Sequence, residues 1–198
     1  KSFFIEIDSC IIRDFVWDGI NLNVSDGLPS FDTLTDKYGL FKIKNCHFSY
    51  MGDDLIQFSS FGATIDNCFF QQSDRPFTPN AHPDAVQINP DRKYVRISNS
   101  IFKNAIQGAF IEKTKGPILV YNNIFYEDYW DAAFATRRGV AINKSTDGLE
   151  DLILVANNVF YKMDWTAILF NSAYLSGTDQ MLISNNIFID CKRYFLGT

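Results

Sequence analysis

The chain has 198 residues and a net charge of −5, from 18 lysines and arginines against 23 aspartates and glutamates. That balance argues against a nucleic-acid partner, because neutralising phosphates takes a basic face. No apolar run reaches the roughly 18 residues of a membrane-spanning helix, while the length suffices for one domain with a sizeable core.

One six-residue phrase organises the chain. It first reads Ile7-Asp8-Ser9-Cys10-Ile11-Ile12, then Ile43-Lys44-Asn45-Cys46-His47-Phe48 and Ile65-Asp66-Asn67-Cys68-Phe69-Phe70. It returns as Ile97-Ser98-Asn99-Ser100-Ile101-Phe102, Val120-Tyr121-Asn122-Asn123-Ile124-Phe125, Val155-Ala156-Asn157-Asn158-Val159-Phe160 and Ile183-Ser184-Asn185-Asn186-Ile187-Phe188. The starts lie 36, 22, 32, 23, 35 and 28 residues apart. The shortest gaps define the unit, and the longer ones hold the same unit with a loop inserted, which is the mark of a solenoid. Ile or Val at the first position and Phe at the sixth point inward and stack from coil to coil. The third position is Asn in six copies of seven, and Asn tolerates the left-handed conformation that a sharp bend between two strands requires.

A second phrase follows each first one: Asp18-Gly19-Ile20-Asn21-Leu22, Asp54-Leu55-Ile56-Gln57-Phe58, Asp84-Ala85-Val86-Gln87-Ile88 and Gln107-Gly108-Ala109-Phe110-Ile111. It continues as Asp131-Ala132-Ala133-Phe134-Ala135, Thr166-Ala167-Ile168-Leu169-Phe170 and, less clearly, Arg193-Tyr194-Phe195-Leu196. Three short strands per coil result. The chain is expected to be all-β, a right-handed parallel β-helix of about seven coils with an Asn ladder and Phe/Ile stacks, and one domain over residues 1–198. On these phrases it resembles the pectate-lyase-like superfamily along its whole length. A leucine-rich repeat shares an Asn ladder, but its second half is helical, and here the second half is another strand.

Loops are expected at 23–40, 71–81, 136–149 and 171–178, the third holding Arg137 and Arg138. They would flank the outer face of the second phrase and wall a groove, and loops on one side of a rigid scaffold commonly carry the site. Neither end shows a cap, so a fragment of a longer chain, or a homo-oligomer stacked end to end, is expected. Cys10, Cys46 and Cys68 share one ladder column and are expected as stacked free thiols, although neighbouring coils bring Cys46 and Cys68 near disulfide range. With Cys191 they form no C-x-x-C pair, which argues against zinc.

The Asp column is the candidate site. Asp18, Asp54 and Asp84 occupy equivalent positions in three coils, with Asp53 and His82 beside them. Stacking places such carboxylates about 5 Å apart per step, and paired carboxylates are the equipment of glycoside hydrolysis: about 5 Å suits retention and 6.5–9.5 Å inversion. Crowding also raises the pKa of one of them and so supplies a protonated acid. Trp17 and Trp165 are candidate sugar platforms; Gln57, Gln87, Arg137 and Arg138 complete the candidate substrate surface. The order Trp17-Asp18-Gly19, Gly52-Asp53-Asp54 and a His-containing coil is similar to the motif order of the polygalacturonase family. That resemblance implies Asp18, Asp53 and Asp54 as acid and base. It departs at His82-Pro83-Asp84, and at Phe110-Ile111-Glu112, where the family carries an Arg-Ile-Lys that grips a uronate.

Alternatives stand beside this reading. Aspartate at the start of a strand is also an ordinary turn residue. A uronate lyase would hold Ca²⁺ on Asp53, Asp54 and Asp84 through oxygen ligands, with Arg92, Lys93, Arg137 or Arg138 as base or clamp; otherwise no cofactor is required. A non-enzymatic structural or receptor-binding β-helix is the other class. The expected partner is a polysaccharide or other glycan, and the expected location is extracellular, on a cell surface or on a virion.

Overall fold

A computed structural model describes residues 4–15, 17–23, 40–59, 62–72, 84–89, 94–112, 116–128, 137–143, 152–170 and 181–197. The described chain winds through seven coils of three strands each. Coil one holds β1 (Ile5–Asp8), β2 (Ile11–Arg13) and β3 (Ile20–Asn23); coil two holds β4 (Phe41–Lys44), β5 (His47–Ser49) and β6 (Ile56–Ser59). Coil three holds β7 (Ala63–Asp66), β8 (Phe69–Gln71) and β9 (Asp84–Ile88); coil four holds β10 (Val95–Ser98), β11 (Ile101–Lys103) and β12 (Gln107–Glu112). Coil five holds β13 (Ile118–Tyr121), β14 (Ile124–Tyr126) and β15 (Arg138–Asn143). Coil six holds β16 (Ile153–Ala156), β17 (Val159–Tyr161) and β18 (Thr166–Phe170), and coil seven β19 (Met181–Ser184), β20 (Ile187–Ile189) and β21 (Phe195–Gly197).

Equivalent strands pair in parallel, giving three seven-stranded sheets. Sheet A starts at β1, sheet B at β2 and sheet C at β3. The phrase repeats set the register: Ile7 pairs with Ile43, Ile43 with Ile65, and Ile65 with Ile97. The bend between sheets A and B is made by the third position of the phrase, as expected. Ser9, Asn45, Asn67, Asn99, Asn122, Asn157 and Asn185 all have φ between 51° and 58°. Five coils use a second left-handed residue a few positions later, at Asp14, Tyr50, Asn104, Lys162 and Asp190, which the sequence pattern did not suggest.

Inside, six phenylalanines form one stack. Ring centroids from Phe48 through Phe70, Phe102, Phe125 and Phe160 to Phe188 are 4.6–5.3 Å apart and nearly parallel. Strand spacing of about 4.8 Å thus sets the stacking distance, within the range aromatic pairs favour. The fourth position of the phrase forms the buried polar ladder. Asn158 Nδ2 donates to the Val120 carbonyl at 3.0 Å, and its Oδ1 accepts the Asn123 backbone N–H at 2.9 Å. Ser100 and the cysteines continue the same column, with the Ser100 hydroxyl accepting the Cys68 N–H at 3.0 Å. All four cysteines are free thiols, and burial pushes Cys68 up to about 12.

One assignment is corrected. The third strand of coil five is β15, which pairs with β12 and β18. The segment 131–135 expected there lies outside the described residues. Gly139 explains the choice: a Cβ there would sit 2.5 Å from the Phe160 ring and 2.7 Å from the Ala167 carbonyl. Gly108, one coil earlier, meets Phe125 in the same way at 2.6 Å. A residue without a side chain is what lets sheet C close over the Phe stack.

Candidate functional site

Sheet C positions the candidate residues. Its register pairs Ile20 with Ile56 and Ile56 with Val86. The residues two places earlier, Asp18, Asp54 and Asp84, therefore share one column. Asp84 then pairs with Gln107, Gln107 with Arg138, and Arg138 with Thr166. Backbone bonds tie the aspartates directly: the Gly19 N–H donates to the Asp54 carbonyl at 3.0 Å and the Leu55 N–H to the Asp84 carbonyl at 2.9 Å. Gly19 permits this approach, since a Cβ there would lie 2.7 Å from the Leu55 carbonyl oxygen.

Asp18, Asp53 and Asp54 come together, with carboxylate oxygens within 4.8 Å of one another. Asp18 and Asp53 are half-buried, whereas Asp54 is 1% exposed and Asp84 wholly buried. The expectation that the whole Asp column opens into a groove is therefore corrected. Asp54 Oδ1 accepts the Asp84 backbone N–H at 3.0 Å, which folds its side chain along the coils. Burial, then the neighbouring Asp84, then Asp53 and Asp18 push Asp54 up to about 9, so it carries a proton at neutral pH.

A row of amides runs beside the cluster. Asn21 Nδ2 donates to Asp18 Oδ2 at 2.9 Å and to Gln57 Oε1 at 2.5 Å. Gln57 Nε2 donates to Gln87 Oε1 at 3.5 Å, and Gln87 Nε2 to Glu112 Oε2 at 3.4 Å. Trp17 stands next to Asp18 with 65% of its surface exposed. The Gln72 side chain donates to the Asp53 carbonyl at 3.1 Å and holds that turn. Three carboxylates are also the donors a hard cation would use; the set the structure brings together is Asp18, Asp53 and Asp54, while Asp84 of the expected calcium set is buried one coil on.

Other expected residues are placed apart. Trp165 lies in coil six, half-buried, with the Arg193 guanidinium 4.7 Å over its ring. Arg137 and Arg138 are not at a loop tip. Arg137 is buried, and Arg138 opens β15, where its Nη1 donates to Gln107 Oε1 at 3.0 Å. Burial lowers Arg138 from its ordinary value, opposed by Asp84. His82, Arg92 and Lys93 lie outside the described residues.

Sequence reasoning missed Glu127. It is buried at the end of β14, accepts the Asp164 N–H at 3.1 Å, and is pushed by burial up to about 7, with Arg137 pulling the other way. Nothing in the phrase marks it, because its position elsewhere holds Asp, Tyr, Gln, Asn or Lys.

A family model described as right handed beta helix region matches residues 2–197. The chain belongs to that family. It is a right-handed β-helix solenoid of about seven coils, and the family name states a fold. No curated protein and no solved structure matches the chain. Among the described residues no helix is long and apolar enough to cross a membrane.

Proposed function

We propose that this β-helix acts on an extracellular polysaccharide, cleaving glycosidic bonds at the Asp18–Asp53–Asp54 cluster. One observation carries the reading: three carboxylates from two successive coils meet within 4.8 Å, and one of them holds a proton at neutral pH. Hydrolysis needs a protonated acid and an ionised base side by side. Asp18 and Asp53 reach solvent and make the contact with the sugar; Asp54 beneath them keeps a proton within the cluster. The glycosidic C–O bond breaks as its oxygen takes a proton from the cluster; water adds its hydroxyl to the anomeric carbon and gives its remaining proton to an ionised carboxylate of the cluster, which restores the starting charge. Exposed Trp17 offers a ring face to a pyranose, and the Asn21–Gln57–Gln87 amides offer donors and acceptors along the chain of sugars.

The burial of Asp54 and Asp84 favours a second reading. The bond from the Asp84 N–H to Asp54 Oδ1 is a staple between coils, as a structural or receptor-binding β-helix would also use. The two are separated by reducing-end release over a panel of acidic and neutral polysaccharides, read together with the ultraviolet absorbance of an unsaturated uronate. Reducing ends without that absorbance, lost in Asp18→Asn, support hydrolysis. Absorbance appearing with them means elimination. Silence across the panel from a folded protein leaves the non-enzymatic reading.

A further inference from the structure

The outer face of sheet A carries a cleft unrelated to the Asp cluster, of about 300 Å³. That is at the lower end of the ≈300–1,000 Å³ typical of ligand clefts. Its shape follows from register. One outward column runs Lys42, Thr64, Arg96, and the next runs Lys44, Asp66, Ser98, Tyr121. Short side chains, Thr64 and Ser98, thus lie between long ones and form a buried floor. Two coil steps, about 10 Å, separate the backbones that bear Lys42 and Arg96.

The chemistry of the lining is mixed in a particular way. Three cations face the cleft in a protein of net charge −5. Arg96 Nη2 donates to Thr64 Oγ1 at 3.1 Å, which holds the guanidinium low over the floor. Lys44 pairs with Glu6 at 2.6 Å at a partly exposed site, and Lys42 lies 5.3 Å over the Phe4 ring. A partly exposed ion pair is worth little, so the Lys44 ammonium can re-pair with a ligand at small cost. One carboxylate, Asp66, is fixed on the floor, its Oδ1 accepting from the Ser98 hydroxyl and from Asn99 Nδ2, each at 2.7 Å. Inorganic phosphate at neutral pH has one or two hydroxyls to give that carboxylate, whereas a sugar acid presents several, held at a fixed distance from its anion. A ligand that presents an anion beside hydroxyl groups satisfies both halves of the lining, and the Tyr121 ring at one end suits the apolar face of a pyranose.

We propose that this cleft is a second glycan site, holding one uronic-acid residue through Lys42, Lys44 and Arg96 on its carboxylate and Asp66 on its hydroxyls. The ligand class rests on the polysaccharide reading above; the cleft itself does not depend on hydrolysis. The test titrates oligogalacturonate and oligoglucuronate, and inorganic phosphate separately, into the ¹⁵N-labelled chain. It compares wild type, Lys44→Gln/Arg96→Gln and Lys42→Gln, each checked for an unchanged melting temperature. Expected are shifts at the amides of Thr64, Ser98 and Asn99, with the affinity read at those amides weakened about tenfold or more in the double variant and weakened less in Lys42→Gln. Phosphate binding as tightly as the uronates would overturn the proposal, as would equal binding by the double variant. Uronate shifts confined to the amides around Asp18 and Gln57, with none at Thr64, Ser98 and Asn99, would place the glycan on sheet C, which overturns the second site and leaves the proposed function standing.

Discussion

Replacing Asp54 by asparagine tests the reasoning about the carboxylate cluster without any substrate. Asp54 holds its proton up to about pH 9, against an ordinary value of 3.8. The folded chain therefore binds a proton that the unfolded chain has released, and stability falls as pH rises through the window between those values. Each pH unit inside it costs about 1.36 kcal/mol. From pH 5 to pH 8 the wild type loses about 4 kcal/mol through this one group. The asparagine side chain of the variant would be neutral in both states and lose nothing, while its oxygen still accepts the Asp84 N–H. With a urea slope of about 2–3 kcal/mol/M for a chain of this size, the wild-type midpoint falls by about 1.5 M more than the variant's over that range. Urea unfolding at pH 5, 6, 7 and 8, followed by circular dichroism, reads this directly. Asp54→Asn should also be the more stable protein at pH 8. Parallel pH profiles for the two proteins would refute the assignment of a buried, protonated Asp54.

Glu127→Gln should flatten a second, lower window, because burial raises Glu127 to about 7 from 4.5 and stability falls with rising pH between them; the same urea series checks it. Asn158→Ala removes a buried side chain that bonds the coils on both sides, leaving the Asn123 N–H without its acceptor and the Val120 carbonyl without its side-chain donor, and should cost about 1–3 kcal/mol in chemical denaturation. Gly139→Ala places a methyl against the Phe160 ring and the Ala167 carbonyl, and should cost about 1–3 kcal/mol or more, seen as a lower melting temperature.

The fold was legible because a solenoid writes each structural demand seven times. A single Asn between apolar residues says little, but Asn45, Asn67, Asn99, Asn122, Asn157 and Asn185 in one column specify a bend, and all of them adopt it. The phenylalanine column was legible for the same reason. Where the repeat is written loosely the reading slipped. Residues 131–135 imitate the second phrase, but β15 starts at Arg138, because a charged residue opening the strand and a glycine facing the Phe160 ring break the expected lettering. Asp14 and Lys162 turn left-handed in a column with no common residue type, so no spacing could reveal them.

The site was legible only as composition. Repetition predicts that Asp18, Asp54 and Asp84 stack, but not which of them water can reach, since exposure depends on what covers each coil. Stacking at about 4.8 Å per coil also turns a column of sheet C into a charge profile along the solenoid axis. Reading Asp18, Asp54, Asp84, Gln107, Arg138 and Thr166 in register order, three acids give way to an amide and then to a guanidinium within a few coils. Arg138 reaches back to Gln107, and Asp84 is close enough to oppose the lowering of its pKa. The acid end and the basic end are therefore electrostatically joined, and the buried, raised Asp54 stands in a column of which one later member, Arg138, carries positive charge. A net charge of −5 hides this: on sheet C, as in the cleft of sheet A, the local order of residues sets which ligand charge is welcome at which coil.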